Sequence, residues 1–104
     1  MKIKTIITMQ VGSFVAAVYD GEWFVAQVEG EEPENEVEGF TLLNYMEKKG
    51  KNQFVWGTKR DKLKTNNRDI LTTVDPPIPV NARTFGLHAD VVRVVENLFM
   101  KNIN

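Results

Sequence analysis

The chain has 104 residues, of which 42% are hydrophobic and 26% are charged. These values predict a single globular domain and exclude the disordered class. The sequence has no cysteine and only one histidine. Disulfides, thiolate metal sites and cysteine nucleophiles are therefore excluded, and we expect neither a metal nor a cofactor.

Two further sequence features bear on location and charge. No apolar run approaches the roughly 20 residues of a membrane helix, and no secretion signal opens the chain, so we expect an intracellular domain, nuclear or cytoplasmic, without a membrane partner. The net charge of −1 hides an uneven distribution, because residues 20–38 carry eight acidic and no basic residues, whereas residues 47–69 carry eight basic and three acidic residues. Such a distribution can orient a charged partner, although charged loops also simply keep a domain soluble.

The clearest local pattern is a hairpin centred on Asp20-Gly21. Two runs rich in β-branched and aromatic residues flank this dipeptide, which favours a two-residue type I′ turn because both residues tolerate positive φ. The turn pairs Tyr19 with Glu22, and alternation then places Tyr19 and Phe24 on one face as a single aromatic patch. Both faces of the hairpin are apolar, so each must be buried or must bind a partner.

Three further strands are predicted, separated by polar and basic loops. Five short strands joined by hairpins, with no helix between them, favour a small closed or half-closed barrel, because closure removes exposed sheet edges. The additional strands cover residues 37–45, 53–57 and 69–74, with a polar loop at 29–38, a basic turn at 47–52 and a long loop, containing a marginal strand near Leu63, at 58–67.

The C-terminal part of the chain is predicted to leave the sheet and form one helix, with a strand as the alternative because its valine pairs are poor helix formers. The prolines in residues 75–79 cannot donate to a sheet ladder and favour an extended connector. His88 lies near the start of the helix, as a cap-region or surface residue. We expect Trp23 and Trp56 to be core or helix-facing, opposite apolar residues that recur at helical spacing: Val91, Val94, Val95, Leu98 and Phe99.

The hairpin sequence Phe14-Val-Ala-Ala-Val-Tyr-Asp-Gly-Glu-Trp-Phe-Val-Ala-Gln-Val28 resembles the opening hairpin of Tudor-type domains. Leu42-Leu-Asn-Tyr45 and Asp69-Ile-Leu71 resemble the third and fifth strands of that family, so the resemblance covers about residues 11–74. Other SH3-like barrels have the same pattern of strands and turns. The sequence departs from the family at Tyr45-Met46-Glu47, in a longer basic loop after the third strand, and at Phe54-Val-Trp-Gly57, which has no family counterpart.

The resemblance implies a small five-stranded SH3-like (Tudor-type) barrel, and together with the C-terminal helix predicted from the apolar spacing it gives a mainly β fold. The expected organisation is an N-terminal strand or arm at residues 1–10, the barrel at 11–75, a proline-rich connector at 76–88 and a helix packed on the barrel at 89–101.

The resemblance also implies a reader of peptide tails, often ones that bear methylated lysine or arginine, such as a modified histone-like tail in chromatin or an arginine-rich partner. Aromatic ring faces hold the cation in such a site, and a nearby carboxylate assists them. Carried over to this sequence, the aromatic positions are Tyr19, Phe24 and Tyr45, and Asp20, Glu22 or Glu47 could supply the carboxylate. The alternative is that Phe24 belongs to the core and Tyr45 is an ordinary half-buried strand residue.

Two other functions remain open. A nucleic-acid-binding barrel would use basic residues to contact phosphates, with aromatic residues stacking on bases, although the acidic segment would repel a strand nearby. A self-assembly or scaffold module would use an aromatic or polyproline surface. We expect no enzyme, because no catalytic motif is present. The candidate nucleic-acid contacts are Lys48, Lys49, Lys51, Lys59, Arg60 and Lys62.

Overall fold

The computed structural model describes residues 10–31, 40–57 and 62–102. The arm predicted at the N-terminus, apart from Gln10, lies outside the described residues, as do Lys59 and Arg60. The described chain is mainly β, with two antiparallel sheets and one C-terminal helix. Its elements are β1 (Phe14–Tyr19), β2 (Glu22–Glu31), β3 (Phe40–Tyr45), β4 (Glu47–Gly50), β5 (Gln53–Val55), β6 (Lys62–Asn66), β7 (Ile70–Val74), β8 (Ile78–Pro79), β9 (Phe85–Gly86) and α1 (Ala89–Asn102).

The predicted hairpin is confirmed in its register and its turn. Asp20 and Gly21 have φ angles of 54° and 81°, the left-handed values that a type I′ turn requires at both central positions. Tyr19 is paired with Glu22, and the same register continues along both strands to Phe14, which lies opposite Gln27. The Asp-Gly dipeptide therefore fixes which residues of β1 and β2 share a face.

The first sheet contains five strands in the order β6-β3-β2-β1-β7. Its two edge strands, β6 and β7, follow one another in sequence and are linked by a 3-10 turn at Asn67–Asp69. The marginal strand predicted near Leu63 is a full strand that pairs along β3. The last predicted strand begins one residue late, at Ile70, because Asp69 belongs to the turn. The edge strands are not hydrogen-bonded to each other, so the sheet is not closed into a barrel.

The second sheet is small, with the order β4-β5-β9-β8. The basic turn predicted at residues 47–52 is wrong: β4 occupies most of it, and the chain reverses only at Lys51-Asn52, where Asn52 takes a φ of 55°. The Asn52 side chain donates to the carbonyl oxygen of Leu87 and accepts from its N–H, each at 2.8 Å. The proline-rich connector is not purely a connector, because it contributes β8 and β9 to this sheet.

Both faces of the five-stranded sheet are buried, as the hairpin pattern predicts. Among the described residues, one face is filled by side chains of that sheet alone, namely Val15, Ala17, Ala26, Val28, Leu43 and Tyr45, with Phe24, Leu63 and Ile70 packed against them. The opposite face is covered by the second sheet and α1. The buried residues of both sheets and of the helix form one cluster there: Ala16, Trp23, Val25, Met46, Phe54, Leu87 and Val95. The molecule therefore has two apolar clusters, one on each side of β1 and β2.

The C-terminal helix is confirmed, and its first hydrogen bond runs from the N–H of Val92 to the carbonyl oxygen of His88. The predicted buried face is confirmed at Val91, Val95 and Phe99, which pack against the core. Val94 departs from the prediction, because it is 52% exposed while Val92 packs against the core instead. Trp56 is also placed differently from the prediction, since it is 39% exposed. No helix among the described residues is long and apolar enough to cross a membrane.

Candidate functional site

Three aromatic rings meet at the turn end of the β1–β2 hairpin. Tyr19 lies on β1 and Phe24 on β2, and the pairing of Ala26 with Tyr45 brings the Tyr45 ring across from β3. The ring centroids of Tyr19 and Phe24 are 6.3 Å apart, those of Tyr19 and Tyr45 are 5.8 Å apart, and those of Phe24 and Tyr45 are 6.2 Å apart. The structure thus brings together the three ring positions that the sequence singles out.

The three rings touch one another and differ sharply in exposure. Centroid separations of about 4.5–7 Å are those of aromatic rings in direct contact, so no room for a cation lies between these three. Tyr45 is only 5% exposed, and its hydroxyl forms a 2.8 Å hydrogen bond with the Thr65 hydroxyl. Phe24 is half-buried, whereas Tyr19 is 50% exposed. Tyr19 is therefore the solvent-facing ring of the cluster, and Phe24 and Tyr45 form its support.

The candidate carboxylates do not all lie in equivalent surroundings. Asp20 and Glu22 are both exposed. Asp20 follows Tyr19 directly in the hairpin turn, and Glu22 lies opposite Tyr19 on β2. Among the described residues Asp20 has no ion-pair partner. The carboxylate of Glu47 lies 3.4 Å from the ammonium of Lys49 on the same strand. Asp20 is thus the best placed acidic group for a ligand on Tyr19, and Glu22 lies opposite Tyr19 but also acts on the ammonium of Lys48.

Lys48 occupies a position that the sequence pattern does not predict. Its Nζ lies 4.2 Å from the centroid of the Trp23 ring and 5.8 Å from that of Phe24, and it donates a 2.9 Å hydrogen bond to the carbonyl oxygen of Trp23. Burial lowers the pKa of this ammonium below its usual 10.5, while the carboxylates of Glu22 and Glu96 act in the opposite direction. No spacing in the sequence could have indicated this contact, because it joins strands of the two different sheets.

The remaining basic residues are dispersed. Lys62 lies 3.6 Å from the carboxylate of Glu29, and Lys49 is paired with Glu47 as described above. Lys51 is exposed at the turn between β4 and β5. In the described part of the chain, three of the four lysines proposed for phosphate contacts therefore already contact an acidic or aromatic group.

We find no match to this chain among protein-family models, curated proteins or solved structures.

Proposed function

We propose that this domain is a non-catalytic interaction module that binds a cationic side chain of a peptide on the exposed ring of Tyr19. The observation that carries the proposal is the half-exposed Tyr19 ring, held in place by Phe24 and Tyr45 and bordered by the exposed Asp20 and Glu22. A cation over an aromatic face gains about 0.5–2 kcal/mol, and neighbouring carboxylates add attraction. A rigid ring beside two acidic groups is therefore suited to a cationic ligand.

Arginine fits this surface better than methylated lysine. A methylammonium group is held best when several ring faces surround it, and here the three rings are packed together without a space between them. A guanidinium is planar, stacks on a single ring face and can at the same time donate to a carboxylate. We therefore favour an arginine-bearing peptide, with Tyr19 as the stacking partner and Asp20 or Glu22 as the acceptor.

The sheet topology supports a Tudor-type, SH3-like arrangement of the five-stranded sheet. Its edge strands, β6 and β7, are joined by a three-residue turn, which keeps the two edges close together in space. In the described part of the chain, the side chains that bury one face of the sheet all belong to that sheet, as expected of a strongly curled sheet. In this interpretation β4 and β5 form an inserted hairpin after the third barrel strand.

The proposal is tested by measuring the binding of arginine-rich and lysine-rich peptides, methylated and unmethylated, to purified variants. Tyr19→Ala should weaken binding of the arginine peptide by about 2- to 30-fold, the range that follows from the cation–π energy. Tyr19→Phe retains the ring face and should bind almost as the wild type does. Because Tyr19 is half-exposed, thermal stability should change little in either variant, and a large loss of stability in Tyr19→Ala would assign the ring to the core instead.

The role of the carboxylates has a matched test. Asp20→Asn preserves the left-handed turn, since asparagine tolerates positive φ, and Glu22→Gln preserves the strand. Each should weaken arginine binding without unfolding the domain, and Trp56→Ala, which removes an exposed ring elsewhere, should leave binding unchanged. Equal loss in the Trp56 and Tyr19 variants would contradict the assignment.

Binding measured at increasing salt concentration distinguishes a nucleic-acid ligand from an arginine-bearing peptide. Binding to a single-stranded oligonucleotide through phosphates should fall steeply with salt concentration and depend on Lys51. Ring stacking of an arginine side chain depends less on salt, and it is lost in Tyr19→Ala. Saturable oligonucleotide binding that is insensitive to Tyr19 would replace the peptide proposal.

A further inference from the structure

The free edge of β7 differs from the other sheet edges in the described part of the chain. β7 (Ile70–Val74) carries no charged residue and no proline. The other edge of the same sheet, β6, carries Lys62 and Lys64. The edges of the second sheet are the charged β4 and the two-residue β8, which ends in Pro79. Lysine, proline and short length protect an edge against pairing with another strand, so β7 is the edge left open to one.

The backbone of Thr73 faces this open edge. The pair that closes a two-residue hairpin is hydrogen-bonded, and bonded pairs then alternate along the ladder, so the odd-numbered residues of β1 bond to β2 and the even-numbered ones to β7. Phe14 and Ala16 lie opposite Val74 and Thr72, respectively. Thr73 lies between these two β7 residues, so its N–H and C=O point away from β1. Its carbonyl oxygen accepts the Thr72 hydroxyl at 3.1 Å in an exposed contact. The Thr73 backbone thus offers a donor and an acceptor to an added strand.

A groove runs between this edge and the first turns of α1. It has a volume of 320 Å³, and its lining includes Thr73 and Val74 of β7 and Val91 and Val94 of α1. Val94 is the exposed valine of the helix, with 52% of its surface accessible. The side chains of an added strand alternate between the two faces of the sheet, so those on the α1 side would contact Val91 and Val94. The groove therefore supplies apolar contacts beside the free backbone groups.

The charge of the groove favours a basic ligand. Asp75 and Asp90 line it, and none of its lining residues in the described part of the chain is basic. The carboxylate of Asp90 is already within 3.4 Å of the Arg93 guanidinium. Asp75 is exposed and has no ion pair with any described residue. A basic side chain of an added strand can therefore pair with Asp75.

We propose that β7 is a docking edge for an extended peptide of a partner protein, which adds to the sheet as a sixth strand and carries apolar residues and a lysine or arginine at alternate positions. Main-chain hydrogen bonds to Thr73 provide the pairing. The apolar side chains contact Val91 and Val94, and the basic side chain pairs with Asp75. This edge does not include Tyr19, so its test is independent of the function proposed above.

The test uses a capped hexapeptide, Val-Thr-Val-Thr-Lys-Thr, whose two valines and lysine share one face when it is extended. Binding is followed through the amide resonances of the protein and through hydrogen exchange of the Thr73 N–H. We expect saturable binding, with slower exchange of that N–H in the complex. Alternate residues of an edge-docked strand point their N–H groups toward the sheet, so N-methylation of one alternate set should remove binding and N-methylation of the other set should preserve it.

Two variants of the chain test the two polar contacts. Thr73→Pro removes the N–H on the open edge, where a strand tolerates proline, and should weaken binding by about 2- to 10-fold, the effect of one hydrogen bond. Asp75→Asn should weaken binding by about 2- to 5-fold, the effect of an exposed ion pair. A control peptide with glutamine in place of lysine should bind the wild type and Asp75→Asn equally. Tyr19→Ala should bind the hexapeptide as the wild type does.

Equal effects of the two N-methylation patterns, or full affinity in a folded Thr73→Pro, would overturn the proposal. Slow exchange of the Thr73 N–H in the peptide-free monomer would assign the edge to another segment of this chain. A concentration-dependent dimer that slows this exchange would assign the edge to a second copy, and either result overturns the proposal as well. Should Thr73→Pro fail to fold, the N-methylated peptides still test strand pairing on the unaltered protein.

Discussion

Replacing Phe54 with alanine should be among the most damaging single changes in this domain. Phe54 is fully buried at the centre of the second apolar cluster, and its ring centroid lies 5.8 Å from that of Trp23. Burial of a phenylalanine removes roughly 150–250 Å² from water, which at about 25 cal/mol per Å² corresponds to about 4–6 kcal/mol as an upper value. Measured truncations of this kind cost about 3–5 kcal/mol, so we expect a loss of about 4 kcal/mol in the free energy of unfolding.

Such a loss is a large part of the total stability of a domain, which is commonly about 5–15 kcal/mol. It should lower the Tm by roughly 15–30 °C at this chain length. The assay is urea denaturation followed by circular dichroism, with Trp56→Ala as the matched control two residues along the chain. Trp56 lies beyond the end of β5, is 39% exposed and contacts Phe14 at a centroid distance of 6.4 Å, so its removal should cost about 1 kcal/mol. Similar losses in the two variants would refute the placement of Phe54 in the core.

Three other predictions concern polar contacts. Asn52→Gly keeps the left-handed backbone but loses both hydrogen bonds to Leu87, which should cost about 1–3 kcal/mol in urea denaturation, and Asn52→Ala should cost about 1–2 kcal/mol more because alanine is strained at a φ of 55°. Tyr45→Phe removes the buried hydroxyl that bonds Thr65 but retains the ring. It should lower the free energy of unfolding by about 1 kcal/mol, measured from the thermal transition. The folded-state pKa of Lys48 lies below 10.5, so the unfolded chain binds more protons as the pH approaches 10.5 from below. Stability should therefore rise with pH over that alkaline window, relative to Lys48→Met measured in parallel, and a falling difference would show that the pKa is raised instead.

The hairpin and the helix could be predicted because short-range rules determine them. The Asp20-Gly21 turn fixes the register, and the register fixes the faces of every residue in β1 and β2. The helix boundaries follow from the apolar period after His88. Its buried face was predicted except at one position, since Val91, Val95 and Phe99 pack against the second apolar cluster, whereas Val94 is exposed and Val92 packs there instead.

Of the second sheet, local pattern predicted only one strand, at residues 53–57, and it assigned that strand to the barrel, whereas β5 (Gln53–Val55) lies in the second sheet. Residues 47–50 read as a basic turn because they are charged, yet they form β4 through pairing with Gln53–Val55. That hairpin is held by contacts distant in sequence, above all the two hydrogen bonds between Asn52 and Leu87. Gly86 permits the approach, since a Cβ there would lie 3.0 Å from the carbonyl oxygen of Asn52. Strands that depend on partners more than 30 residues away leave little trace in a short window of sequence.

The candidate site shows the same division between local and distant information. Strand alternation suffices to place Tyr19 beside Phe24, but it does not reveal that Tyr45 closes the space between them. Similarly, the sequence shows that a lysine is positively charged, but it does not show whether its ammonium is solvated or contacts another group of the protein. Lys48 lies over the ring of Trp23 while Lys51, three residues along the same hairpin, is exposed. The described part of the basic segment therefore presents less free positive charge than its composition indicates, which is why we base the proposed binding function on the acidic and aromatic surface at Tyr19 and not on the lysines.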